Sequence, residues 1–426
     1  MTQKITDILK QLGIAEYRII EKNEKSAELF FIKKTLDMKR IKENTTYEVT
    51  VFTDFMKGET ACKGQAAVNV SPGMTEEEII KVMESAKLAA SYVANPTYTL
   101  PTPEPHPGNR FIMQHSDLLD HTLAEEAKIM AEALFKEDTA EDVFINSAEL
   151  FIYDTTVHIF TSTGIDAGYR RAKVWGEFVA QCKEPQDVET YKDFEYSSLD
   201  TEALRRKVKR TLEYTRARAQ AAAAPKTGSY RLILSDEYMA TLFSFYLDKA
   251  DASYIYAGYS DYELGKDVQK NLTGDGLTIT LRADVPYSDE GIRMRDRCLL
   301  KNGVLQTITG SARFASYLGT EPTGQYSDVH VEPGTTSVEE MKQKPYLHVV
   351  NFSDFQMDAF TGHFGGEIRL AFLYDGETVT PVTGGSVNGN WFEVQGRLTL
   401  SSETISEQSY VGPQAVCMED IPVAGE

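Results

Sequence analysis

The chain has 426 residues, of which 42% are hydrophobic and 25% are charged, so it has ordinary globular composition and room for two or three domains. Its formal net charge of −20 disfavours contact with the phosphates of nucleic acids or with anionic lipid surfaces. No run of about 18 apolar residues could span a membrane, and no signal-peptide core is evident, so we expect a cytoplasmic protein without membrane contact.

The four cysteines are far apart in the sequence, at Cys62, Cys182, Cys298 and Cys417. Because no CxxC pair occurs, they indicate neither a disulfide framework nor a zinc ribbon, and we expect reduced thiols. Cys298 lies in an arginine-rich segment with the alternating pattern of a strand. It is predicted to be a small buried residue rather than a nucleophile.

The first third of the chain is predicted to mix helices and strands. An amphipathic helix is predicted over residues 1–13. Short strands are predicted over residues 18–20, 28–32, 47–52 and 66–70. Thr75 and Glu78 have the spacing of a capping box and predict a helix that ends at Asn95. Five prolines between residues 96 and 107 then predict an extended connector.

A second helix is predicted over residues 117–135, strands over 143–180, and a long helix over 201–223. His121 and Glu125 are four residues apart in the second helix, which could place both on one face as metal ligands. That face also carries Lys128 and Glu132, so we interpret it as solvated.

The long helix carries the most basic run of the chain, which consists of Arg205, Arg206, Lys207, Lys209 and Arg210. These residues alternate with an apolar stripe of the same helix. We expect them to form a solvated face rather than a binding surface.

The character of the sequence changes near residues 225–228, where we place a domain boundary. A strand over 230–234 and a short helix over 238–247 are followed mostly by short strands and glycine turns. Among those strands are residues 277–281, 304–308, 368–372 and 392–398. The prediction is an α+β fold, with a mixed α/β domain at 1–225 and a β-rich, mainly antiparallel domain at 226–426.

Motifs of familiar chemistry are absent from the sequence: it has no P-loop, no GxGxxG after a strand, no GxSxG elbow, no HExxH and no EF-hand loop. His330, His348 and His363 lie in the C-terminal half. Their spacing does not by itself indicate a shared site.

A series of short motifs in the C-terminal half resembles the TldD/TldE (PmbA) family of peptidase-complex proteins. In order they are DEG at 289–291, GVL at 303–305, LG at 318–319, TG at 323–324, VEPG at 331–334, VEE at 338–340, TG at 361–362, PVTGGSVNGN at 381–390 and GP at 412–413. They are suited to scaffold roles. Asn302–Gly303 is predicted to form a hairpin turn, and positive φ is predicted at 388–390.

The resemblance implies a degenerate metal site. The zinc-bearing branch of the family carries HExxxH on the helix after the first strand of the C-terminal domain, and the aligned residues here are Ser244, Phe245 and Lys249. A protonated lysine cannot coordinate zinc, and phenylalanine cannot act as a general base. No histidine occurs between His158 and His330. The chain therefore resembles the TldE/PmbA branch, and we expect no catalytic residue, cofactor or metal in it.

The leading hypothesis from this resemblance is a non-catalytic subunit of a TldD/TldE-type metallopeptidase complex that acts on unfolded peptides. Zinc is expected in a TldD-like paralogue that serves as partner, and the chain alone is expected to form a homodimer. Exposed strands could hold an extended peptide by β-augmentation. The alternatives are a peptidase or other hydrolase with an unrecognised centre, for which His348, His363 and Cys417 are the candidate residues, and a protein-level regulator of DNA gyrase.

Overall fold

A computed structural model describes residues 1–105, 110–407 and 409–426. The strands form three largely antiparallel sheets, and helices pack against them. This arrangement confirms the predicted α+β class. The first sheet is built from residues 16–196, and the other two sheets are built from residues 228–424. The boundary predicted near 225 stays a prediction. In the described part of the chain, no helix has the length and apolar character needed to cross a membrane.

The first half contains the following elements in chain order. They are α1 (Thr2–Gln11), β1 (Glu16–Ile32), β2 (Thr35–Lys57), β3 (Thr60–Val70), α2 (Glu76–Ala90), β4 (Asn95–Pro96), β5 (Phe111–Met113), α3 (Leu123–Lys136), β6 (Val143–Thr161), β7 (Asp166–Cys182), β8 (Val188–Tyr196) and α4 (Thr201–Gln220). A 3₁₀ turn, Asp117–Leu119, precedes α3.

The strands of this half form one sheet in the order β4-β3-β2-β1-β6-β7-β5, and β8 also pairs with β7. Because side chains alternate between the faces of a strand, alternate residues of β1 such as Ile19 and Ala27 face the same side. Helices α1 and α2 pack near Ile19 and helices α3 and α4 near Ala27, so the helices cover one face. On the other face, Val157 and Ile159 pack against Tyr287 from the second half.

Several local predictions for this half are confirmed and others are wrong. The capping box of Thr75 and Glu78 is present, but the helix ends at Ala90 and not at Asn95, which pairs with Lys63 in the sheet. The short strands predicted at 18–32 are one continuous strand, because its polar middle is paired on both edges. The connector from residue 96 packs Tyr98 and Leu100 against Phe52, and its predicted last residues, 106 and 107, lie outside the described residues.

The second half contains the following elements in chain order. They are β9 (Gly228–Ser235), α5 (Tyr238–Lys249), α6 (Ala252–Tyr256), β10 (Ile279–Arg282), β11 (Arg297–Lys301), β12 (Val304–Leu305), α7 (Ala312–Leu318), β13 (Asp328–Val331), α8 (Val338–Met341), β14 (Tyr346–Met357), β15 (His363–Tyr374), β16 (Val379–Val382), β17 (Ser386–Asn390), α9 (Trp391–Val394), β18 (Thr399–Leu400), β19 (Thr404–Glu407), β20 (Tyr410–Pro413) and β21 (Ala415–Ala424). A 3₁₀ turn, Gln395–Arg397, follows α9.

Two sheets enclose the main core of this half. One runs β12-β11-β10-β13-β20-β19. The other runs β14-β9-β21-β17-β15-β16 and closes into a ring, because β14 also pairs with β15. Helix α5 packs in the core that both sheets line, and Phe243, Phe245 and Tyr246 are fully buried there. The helix is therefore one of the most enclosed elements of the chain.

Two predictions for this half fail for reasons of packing. Residues 392–398 were predicted as a strand but form α9 and the 3₁₀ turn, with Trp391 buried against Phe243, Phe245 and Tyr246. Residues 388–390 lie in β17 without positive φ. Gly389 is required there because an added Cβ would lie 2.0 Å from the buried ring of Phe364. The hairpin turn at Asn302–Gly303 is confirmed, since both residues have positive φ.

The basic face of α4 is only partly solvated: Arg206 and Lys209 are exposed as predicted, whereas Lys207 is buried and Arg210 half-buried. Lys207 is only 4% exposed, and its Nζ lies 2.8 Å from Glu407 Oε2. Arg210 contacts both Glu407, at 3.1 Å, and Asp236, at 2.6 Å. Lys192 of β8 forms a further ion pair with Glu237. We call this group the inter-half ion cluster, because its cations come from the first half of the chain and its carboxylates from the second.

We expect Glu407→Ala to destabilise the protein by about 3 kcal/mol, because it leaves the buried ammonium of Lys207 without its carboxylate. The measurement is the free energy of unfolding from urea titration. Glu202→Ala is the control, since Glu202 is an exposed partner of Arg205, and a change below about 0.5 kcal/mol is expected there. Equal effects of the two substitutions would contradict a structural role for the cluster.

Candidate functional site

Helix α5 places the three residues aligned with the zinc motif along its length, but none of them is a metal donor. Phe245 is fully buried and makes an edge contact with Phe392 at 5.5 Å. Ser244 Oγ donates to the carbonyl of Thr241 in the preceding turn. These positions take part in packing and in local hydrogen bonding of the helix.

Lys249 is, of these three residues, the least suited to bind zinc. Its Nζ donates to the carbonyl oxygen of Tyr259 at 2.8 Å and lies 5.5 Å from the ring centroid of Phe392 and 6.0 Å from that of Tyr262. Burial lowers the pKa of Lys249, with an opposing contribution from Asp261. A donor set of one hydroxyl, one phenyl ring and one ammonium does not fit zinc.

The histidines proposed as an alternative centre are not brought together. His330 is on β13 in one sheet, whereas His348 and His363 are on β14 and β15 in the other. His348 lies opposite Phe372, nine residues along β15 from His363, which corresponds to roughly 30 Å. Among the described residues, no group of three or more His, Cys, Asp or Glu side chains is placed to hold a metal ion.

Cys417 and His348 lie on either side of Ile233 in the sheet, which separates their backbones by roughly 10 Å. Burial raises the pKa of the Cys417 thiol to about 11 and lowers the pKa of His348 to about 3. Both groups are therefore neutral near pH 7, and His348 instead contacts Ser235 Oγ at 2.9 Å. This arrangement does not activate a thiolate nucleophile.

Two other sequence interpretations require correction. His121 and Glu125 do not share a helix face, because α3 begins at Leu123 with Thr122 as its N-cap. Glu125 completes the capping box, whereas His121 Nδ1 lies 2.8 Å from Glu126 Oε1, a contact that raises the pKa of His121. Cys298 is exposed and not buried, since it lies in the short strand β11 near the end of its sheet.

A polar cleft between the two halves is the candidate site with the most chemistry. It comprises two adjoining depressions of about 480 Å³ each that share Arg171, Asp284 and Ser327. The first half contributes a stripe of alternate residues on β7, including Arg171 and Lys173, together with Glu195 on β8. The second half contributes Asp284 and Asp328. Sequence analysis missed these residues, although the alternation of charged and apolar residues in β7 was a usable signal.

Burial raises the pKa of two carboxyl groups that line this cleft, Glu290 and Asp328. Burial raises the pKa of Asp328 to about 6, and repulsion from Asp284 and Glu195 adds to that effect. Lys173 Nζ lies 2.9 Å from Glu195 Oε2, and Arg171 Nη1 lies 3.5 Å from Asp284 Oδ2. A carboxyl group that titrates near neutrality inside a cleft can accept or donate a proton, so Asp328 is a candidate for acid–base chemistry.

The DEG motif at 289–291 contributes Asp289 and Glu290 to the lining of the cleft. Glu290 Oε2 accepts a hydrogen bond from the backbone N–H of Ala312, the first residue of α7. Gly291 has a φ of +77°, and an added Cβ would lie 2.7 Å from Ile165 of the first half. This motif therefore allows the two halves to approach closely beside the cleft.

We expect Asp328→Asn to stabilise the protein near pH 8 by about 1 kcal/mol, allowing for the partial exposure of the carboxyl group. The pKa in the folded state is about 6, above the ordinary 3.8. As pH rises from about 4 to 6, the unfolded chain loses this proton before the folded chain does, so the carboxyl group comes to disfavour folding. The asparagine variant should show a higher Tm than the parent at pH 8 and no advantage at pH 4. A gain at both values would contradict the shifted pKa.

Comparison with known proteins gives a consistent result. Residues 227–425 match the PmbA/TldA metallopeptidase C-terminal domain family. A protein from Methanothermobacter thermautotrophicus described as a metalloprotease is 28% identical over 196 residues, which are 40% of this chain and 42% of that protein. The chain thus spans 42% of the length of the curated relative that it matches.

Solved structures share the fold over nearly the whole chain. TldE from Thermococcus kodakarensis and a candidate modulator of a DNA gyrase from Thermotoga maritima each have a TM-score of 0.76 at 16% identity, covering 99% of this chain and 100% and 99% of theirs. A candidate modulator of DNA gyrase from Bacteroides thetaiotaomicron has the same TM-score and identity and covers 100% of this chain and 98% of its own. At this identity the similarity is one of fold.

Proposed function

The C-terminal half of this chain belongs to the PmbA/TldD metallopeptidase family, and from that premise we propose that the chain is the non-catalytic subunit of a TldD/TldE-type metallopeptidase complex. The complex acts on unfolded peptides in the cytoplasm. A zinc-bearing TldD-like paralogue supplies the metal and the chemical step, and this chain completes the peptide-binding surface. The chain pairs with a second copy of itself when the paralogue is absent.

The observation that carries this proposal is the identity of the residues in α5. Where the zinc-bearing branch needs donors, this chain has Ser244, Phe245 and Lys249, with the ammonium of Lys249 held by the carbonyl of Tyr259. The helix is otherwise intact and deeply packed. A scaffold that keeps its shape while it lacks metal donors is suited to a supporting subunit.

Peptide binding would use strand edges, which offer unpaired backbone groups to an extended chain. Among the described strands, β12 and β19 end the six-stranded sheet, and β16 ends the other sheet of this half. Binding at an edge depends on backbone hydrogen bonds and not on particular side chains. That property suits substrates defined by being unfolded rather than by sequence.

The partner would be bound through an exposed aromatic patch beside α5, which we define as Tyr256, Tyr259, Phe360 and Phe392. Tyr259, Phe360 and Phe392 are 51%, 60% and 43% exposed, and the rings of Tyr259 and Phe360 are 5.3 Å apart. Exposed aromatic residues of this kind are typical of protein interfaces. The patch adjoins Lys249, so the partner would cover the degenerate position.

We expect a pull-down with this chain from native cytosol to recover a paralogue that carries HExxxH, with zinc in the complex and none bound stoichiometrically by this chain alone. The reason is that the donors lie in the paralogue. Metal analysis of the purified complex and of the isolated chain provides the measurement. Stoichiometric zinc in the isolated chain, lost on Lys249→Ala, would contradict the proposal.

The double substitution Tyr259→Ser and Phe360→Ser should weaken recovery of the paralogue at least about tenfold, because it removes two exposed rings of the proposed interface. Tyr92→Ser is the matched control, since Tyr92 is 80% exposed in the first half, and it should leave recovery unchanged. Circular dichroism confirms that the variants are folded. Equal recovery by all variants would place the partner elsewhere.

A second candidate function is a hydrolase centred on the polar cleft. The raised pKa of Asp328, about 6, favours it. Peptidase activity of the isolated chain that disappears in Asp328→Asn would support this candidate over the supporting-subunit proposal. Activity seen only with the paralogue present, and unaffected by this substitution, would favour the leading proposal.

A further inference from the structure

An apolar cavity of about 440 Å³ lies under the proline-rich connector, separate from α5 and next to the polar cleft. The connector forms one wall with Leu100, Pro101 and Pro103. The opposite wall is formed by Ile165 from the first half and by Tyr287 and Ile292 from the second. Exposed residues such as Thr102 and Ser316 surround its mouth. We call it the connector cavity. Its size is within the range of about 300–1,000 Å³ typical of ligand sites.

Two arginines line this cavity, Arg110 at an exposed position and Arg293. Arg293 stacks on Tyr287, with its Cζ 5.0 Å from the ring centroid, and its Nη1 is buried without a hydrogen-bond partner. Within residues 1–105, 110–407 and 409–426, Arg293 forms no ion pair. Glu104 in the connector wall is already engaged by Arg295 at 2.7 Å. Asp166 lies at the exposed rim.

A buried guanidinium nitrogen without an acceptor is unfavourable by itself, since burial removes its hydrogen bonds to water. Arg293 is partly exposed and lines the cavity, so an anionic oxygen there would pair with its charge, and the planar guanidinium group suits the two oxygens of a carboxylate. The surrounding walls are mainly aliphatic and aromatic. The combination selects a ligand with one carboxylate attached to an apolar group.

We propose that the connector cavity binds the free C-terminal carboxylate of a peptide whose last side chain is apolar. Arg293 holds the carboxylate, and the wall of Leu100, Ile165 and Ile292 contacts the side chain. The identification of the ligand as a peptide rests on the proposed function, whereas the preference for an apolar carboxylate rests on the cavity alone.

The test is isothermal titration calorimetry of the full chain with acetyl-alanyl-alanyl-leucine as the free acid and as the C-terminal amide. We expect the free acid to bind at least about tenfold more tightly, because only it makes the charged hydrogen bonds to Arg293. Arg293→Gln should abolish this difference. Arg397→Gln, which removes an exposed arginine paired with Asp420 outside the cavity, should preserve it.

A second variant, Ser316→Trp, places a large ring at the exposed rim of the cavity and should block the acid and the amide alike while the fold is retained. Equal affinity of acid and amide for the parent chain, or unchanged acid binding by Arg293→Gln, would overturn the proposal. Tighter binding of hexanoate than of the peptide acid would identify a free aliphatic acid as the ligand and overturn the peptide assignment. Failure of the partner proposal would instead appear as loss of paralogue recovery with the acid preference intact.

Discussion

Glu407 is the carboxylate on which the arrangement of the two halves depends. It is mostly buried and forms ion pairs with both Lys207 and Arg210 of α4, a helix whose apolar stripe, including Leu204 and Val208, packs under the first sheet. The same helix contacts Leu370 and Phe372 of the second half through Tyr214 and Ala217. Because breaking a buried ion pair leaves an uncompensated charge, the relative position of the halves is strongly favoured.

The candidate sites follow from that fixed position. The polar cleft needs Arg171 and Glu195 from the first half and Asp328 from the second, and the connector cavity needs Ile165 beside Arg293. Neither site exists in one half alone. Burial is the main cause of the raised pKa of Asp328, and repulsion from Glu195 of the first half adds to it.

The core of the second half holds α5 in place by aromatic packing. Phe245 and its neighbours fill the core with aromatic rings, and Trp391 is packed against them. Burial of large rings supplies stability that needs no metal ligand. Phe392 of the exposed aromatic patch contacts Phe245 of this core and lies beside Lys249. The proposed partner would therefore bind directly over this end of the helix.

The sequence by itself determined the features that depend on near neighbours or on residue identity. These include the helix start at Thr75 and Glu78, the turn at Asn302–Gly303 and the α+β class. The tertiary structure decided the burial of Lys207, the titration of Asp328 and the isolation of Arg293, and it turned the predicted strand at 392–398 into a helix. Helical periodicity places Lys207 on a polar face, but its counter-charge lies 200 residues away in the chain. Burial and pKa depend on groups that meet only when the chain is folded, so no local pattern contains them.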